Sequence, residues 1–204
     1  MRGLIQSSGI AICLLMIVSF AAAQESGSAK APAKKTGSSD AAYIAKALAA
    51  APSGVAKGAG VARIDKDGNM QTLRESKNGF TCMVLLGNIM CADANSMAFF
   101  GAVMKKQTPP DKPGITYMLR GDQGASNTDP NATKKTPDNH WVVTGPHIMI
   151  FGAGVKDLGL PDSADADPTK PYIMWANTPY AHAMVPVAGG GAHAAAATAS
   201  PDKK

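Results

Sequence analysis

The feature that most constrains this chain is how often it turns back within the stretch Val61–Cys91. Asp67-Gly68, Asn78-Gly79 and Gly87-Asn88 are turn signals. Gly supplies positive φ without steric cost, and Asn or Asp tolerate it, which a tight hairpin turn requires. The segments between them read as strands: Val61–Asp65 alternates, Met70–Glu75 returns, and Phe80–Val84 is followed by Ile89–Cys91. Consecutive strands joined this closely predict a meander of short antiparallel strands. A regular β-α-β alternation is absent, so a doubly wound sheet is not expected.

Two helices frame this region. Ser39 or Asp40 caps a helix over Ala41–Ala50, stopped by Pro52 and Gly54; Asp93 or Asn95 caps a second from Ser96 to Lys105, with Met97, Phe100, Val103 and Met104 as its apolar stripe. A Pro-rich break, Gln107–Gly114, leads to strands at Ile115–Leu119, Trp141–Val143 and Tyr172–Trp175. Arg120–Asn139 is the longest polar segment, and a loop of that length in a compact domain is a functional candidate. The expected fold is therefore α+β, a mostly antiparallel sheet with two helices packed on one side, long loops and a single domain over residues 39–187.

The flanks have other roles. Residues 1–23 read as a secretory signal: Arg2 begins it, Ile10–Phe20 is the apolar run, and Ala21-Ala22-Ala23 precedes Gln24 as a cleavage site. The run is shorter than the roughly 20 residues a membrane span needs, no second long apolar stretch follows, and Cys13 lies within it behind Ile12, unlike a lipid-attachment cysteine. Residues 24–38 read as a flexible linker and 188–204 as a disordered Gly/Ala-rich tail. A periplasmic or secreted product follows. It retains two cysteines, Cys82 and Cys91, whose even count favours a disulfide in an oxidising compartment. The rival is a two-thiol metal site, but zinc sites usually separate paired cysteines by two to four residues. The formal charge is +5, and Lys30, Lys34, Lys35, Lys203 and Lys204 lie in the flanks. No basic stripe with interleaved aromatics exists, so no nucleic-acid partner is expected; weak envelope association is the most these lysines suggest.

Two stretches echo each other: Gly145–Phe151 contains His147-Ile148-Met149, and Tyr180–Pro186 contains His182-Ala183-Met184. On a strand, residues i and i+2 share a face. Pairing the stretches could gather two imidazoles and two thioethers, a ligand set that Cu(I) accepts. With a carboxylate from Asp122, Asp129 or Asp138, the two histidines would instead meet the arithmetic of an open zinc site. The structural alternative is that each His hydrogen-bonds a backbone carbonyl while each Met fills core. His140, beside Trp141, reads as a surface histidine or a ring at a pocket mouth. Trp141 and Tyr180 can line a groove or build core.

Three stretches carry a resemblance: Leu119–Pro130, Thr136–His147 and Thr178–Pro186. Together they resemble a family of exported, signal-peptide-bearing bacterial proteins of unknown function. The resemblance implies an envelope or secreted location and brings no activity, substrate or cofactor. No phosphate loop, dinucleotide fingerprint, zinc-protease helix or Gly-x-Ser-x-Gly elbow is present, so no catalytic residue is assigned. The leading expectation is a non-enzymatic domain binding a small ligand, copper or zinc. His147, Met149, His182 and Met184 would hold a metal; His147, His182, Asp122, Tyr180 and Trp141 would line the pocket under Arg120–Asn139. The alternatives are a metal-assisted hydrolase using the same histidines and a structural envelope protein whose sheet is a partner surface.

Overall fold

The computed structural model describes residues 38–187. The expected signal segment, the linker apart from Ser38, and the tail 188–204 lie outside the described residues.

The first helix, α1 (Ser38–Leu48), lies across the sheet and is pinned by its polar side chains. Asp40 bonds Arg63 at 2.9 Å, the Arg63 guanidinium sits 4.3 Å over the Tyr43 ring, and the Tyr43 hydroxyl donates to Ala62 O at 3.0 Å while accepting from Val84 N at 3.1 Å. A single turn, α2 (Ser53–Ala56), follows Pro52 where the sequence predicts only a stop. The strands then come in hairpins. β1 (Gly60–Ile64) pairs with β2 (Met70–Arg74), and β3 (Phe80–Leu85) pairs with β4 (Asn88–Asp93). The second hairpin turns at Leu86-Gly87, one residue earlier than Gly87-Asn88. α3 (Ala94–Met104) starts immediately, because Asp93 Oδ1 accepts from Ser96 N at 2.7 Å while its Oδ2 takes Ile115 N at 2.9 Å. One aspartate thus caps the helix and fixes the entry of β5 (Gly114–Met118).

Two short strands, β6 (Ala125–Ser126) and β7 (Trp141–Val142), pair with each other outside the main sheet. β8 (His147–Phe151), β9 (Tyr172–Met174) and β10 (His182–Pro186) complete it, with a 3₁₀ turn over Ala153–Leu158. The eight-stranded order is β2-β1-β3-β4-β5-β8-β10-β9. The fold is α+β in a single domain, and the sheet is mostly antiparallel. Its exception corrects the simple meander: β1 lies parallel to β3, through Gly60↔Thr81 and Val61↔Cys82. The second hairpin pairs beside β1 instead of continuing beyond β2, which leaves the largely exposed β2 at the edge.

The helices also take a different arrangement from the one-sided packing expected. α1 covers the face that presents Val61, Cys82 and Cys91, with Ala47 and Ala50 against them. α3 covers the opposite face, where Phe99 joins the core cluster of Met83, Met90, Met149, Phe151 and Met184 and packs on the Phe151 ring. Cys82 and Met83 are consecutive, so they necessarily look to opposite sides. The predicted stripe on α3 is rotated accordingly. Phe99 and Ala102 are buried, whereas Met104 is 63% exposed. Cys82 and Cys91 stand directly opposite in the ladder and form the expected disulfide.

Candidate functional site

β8 and β10 are central neighbours, so both His-x-Met units lie on one face of one sheet, as expected. The register decides the rest. Met149 pairs with Met184, and His147 pairs with Pro186, leaving His182 four positions farther along β10 (186 − 182) beside Phe151. The methionine pair stands between the imidazoles, so the ladder does not converge them into a His₂Met₂ set. Each His follows the structural alternative. His147 Nδ1 donates to Gly145 O at 2.7 Å, His182 Nδ1 donates to Tyr180 O at 2.9 Å, and Met149 and Met184 join the core. Among the described residues, no three His, Cys, Asp or Glu come together as a metal site.

His182 is a core residue with an aromatic setting. Its ring stacks on Phe151 at 5.2 Å and meets Trp175 and Phe99 edge-on at 4.9 and 5.7 Å. Burial pushes its pKa down to about 4, and the nearby His147 adds to that, so the ring is neutral at physiological pH. Tyr180 packs edge-on against Phe99.

His147 belongs to a second buried cluster. Asp122 Oδ1 accepts from Gly124 N at 2.8 Å and Thr144 N at 3.0 Å; Oδ2 faces His147 Nε2 at 4.0 Å. Beside them the Thr144 hydroxyl meets the Tyr172 hydroxyl at 2.8 Å. Since Nδ1 carries the proton given to Gly145, Nε2 is the basic nitrogen, and it is buried with no hydrogen-bond partner. Burial raises the Asp122 pKa and lowers that of His147, and it lifts Tyr172 to about 12. This cluster ties the Arg120–Asn139 segment to β8. His147 has no exposed surface, so the cluster is a clasp and not an open pocket.

The surface chemistry sits one layer out, in the loops that segment organises. Asn127, 3% exposed, is their hub. Its N–H donates to His140 O and its C=O accepts from Trp175 N, each at 3.0 Å. Its side-chain amide donates to Ser163 O at 2.9 Å and Ala164 O at 2.8 Å. Trp175 closes the circle by donating its indole N–H to Ser126 O at 2.7 Å. Trp141 rests on Gly124 (φ +94°), where a Cβ would enter the indole ring.

Trp141 then forms the ridge between two grooves. One, about 700 Å³, lies towards His140, whose Nδ1 is 2.8 Å from Asp165 Oδ1. The other, about 580 Å³, runs between the β3–β4 turn, α3 and Trp175. Of the residues expected at a pocket, Trp141 lines both grooves, Asp122 holds the loop beneath them, and His147 and His182 are buried behind. The sequence reading does not single out Asn127, Asp165 or Leu86. A mid-loop Asn carries no periodic signal, but a Leu before the Gly of a tight turn is a detectable anomaly. Comparison with known protein families, with curated proteins and with solved structures finds no match to this chain.

Proposed function

We propose that this is an exported, non-enzymatic domain that binds a small molecule against Trp141. The observation that carries the reading is the position of that indole. It is shared by two grooves of about 700 and 580 Å³, within the size range of small-molecule sites. It is also seated by a glycine and by a loop framework fastened by four hydrogen bonds at Asn127. Such fastening supplies the preformed wall that binding without large ordering costs requires. Export is supported by the signal-like residues 1–23 and by the disulfide. No described helix is long and apolar enough to cross a membrane.

The test is a thermal-shift screen of neutral, anionic and cationic compounds, sugars, copper and zinc, with Trp141→Phe as the comparison. At least one compound class raises the Tm of the native protein, and Trp141→Phe diminishes that rise. A screen without a hit, or hits indifferent to Trp141→Phe, sinks the reading. Copper or zinc raising the Tm only while His147 and His182 are intact would restore the metal-binding alternative.

A further inference from the structure

We infer that the groove on the β3–β4 side of Trp141 takes an uncharged, mainly apolar ligand with a flat ring system, and that Leu86 is the clamp that closes on it. The inference rests on the small-molecule reading above and narrows it to one groove and one ligand class.

Leu86 is a costly residue on two counts. It occupies the first position of the two-residue turn with φ +49°, followed by Gly87 at φ +83°. Hairpin turns of this kind prefer Asn, Asp or Gly at both positions, because a Cβ in the left-handed region crowds the backbone. Its side chain is also 90% exposed, and Met104 across the groove is 63% exposed. An asparagine would suit the backbone and the water better. Strain of this sort clusters at functional sites.

The same groove holds a second instance. Trp175 (φ +56°) is another of the four non-glycine residues at positive φ among the described residues, and it too lines this cavity. Its conformation is held by the bonds from its N–H to Asn127 O and from its indole to Ser126 O. The two indoles, together with Met90 and Phe100 in the same lining, offer flat and polarisable walls. Charge sets the ligand class. None of the described residues lining this groove is charged, whereas the groove on the other side of Trp141 is bordered by Lys135 and Asp165. An ion entering the former would lose hydration without a counter-charge, while a neutral ring would not.

Two fluorescent probes with one ring system separate the possibilities: neutral N-phenyl-1-naphthylamine and its sulfonated analogue 8-anilinonaphthalene-1-sulfonate. The neutral probe binds the full chain with quenching of tryptophan emission, at least about tenfold more tightly than the sulfonate. Leu86→Asn weakens it by about tenfold, the scale of one lost leucine contact, while the variant's Tm is equal to or above that of the native protein. That last readout excludes misfolding as the cause. Absence of neutral-probe binding, or equal binding by Leu86→Asn, overturns the inference. Equal or tighter binding of the sulfonate, sensitive to Trp141→Phe, overturns it and leaves the small-molecule reading standing. If no compound of any class binds in a Trp141-dependent way, both fall. A dimer in sedimentation that Leu86→Asn converts to monomer assigns the groove to a second copy of the chain and likewise overturns it.

Discussion

Asn127 shows how much a single buried amide can organise. It joins the segment after β6 to His140, Trp175 and the 163–164 loop, none of which shares a regular element with it. Replacing it by Ala leaves the carbonyls of Ser163 and Ala164 without their donor. Asn127→Ala is expected to lose about 2–3 kcal/mol in urea denaturation, the cost of buried groups left unpaired. Proteolysis is expected to move to the 127–140 and 163–168 loops. A change below about 0.5 kcal/mol, typical of an ordinary surface site, would show that the loops are held by other means. Asp122 and His147 illustrate a different case: the sequence offers Asp122, Asp129 and Asp138 as carboxylates for the histidines, and spacing alone does not choose among them. They are 25 residues apart (147 − 122), and their atoms face one another only because the segment after β5 folds back onto β8.

The β3–β4 hairpin is the element on which most of the architecture depends. Its turn opens the proposed groove, β3 receives β1 in the parallel pairing, and β4 leads directly into α3. Its disulfide closes a loop of sequence separation 9. In the chain-entropy model such a link contributes about 2.5–3 kcal/mol by restricting the unfolded chain. The Cys82→Ala/Cys91→Ala double variant should therefore lose roughly that amount, and a reductant should lower the native Tm without affecting the double variant. Retention of full stability would mean that the paired strands alone suffice. The turn signals identify this hairpin from sequence, and the even cysteine count favours its cross-link. The return of β3 to β1 is not written there, because the unpaired edges of β1 and β2 are both available to a third strand.

At the scale of the whole molecule, the buried titratable groups shape the response to acid. His182 is held near 4 when folded, against 6.5 when exposed. Between those values the unfolded chain binds a proton that the folded chain does not, so stability falls as pH drops from 6.5 towards 4, by on the order of 3 kcal/mol. His147, also lowered, acts in the same sense. Asp122, raised from 3.8, acts in the opposite one, since the folded state holds its proton more firmly and gains stability as pH falls through its raised value. Urea midpoints of the native protein should therefore decline from pH 7 to pH 4, and His182→Phe should decline less steeply; parallel profiles would contradict the assignment. The hydrophobic periods, turn residues, caps and cysteines determined by themselves that this chain makes an antiparallel α+β domain with a clipped hairpin, because those signals act between near neighbours. They also placed both His-x-Met units on strands. Only the tertiary structure decided that a four-position offset in one ladder turns those histidines into core and clasp, and that Trp141, Trp175 and Leu86 meet at a groove. Strand register and loop docking arise from many weak contacts between distant segments, and no local pattern encodes their sum.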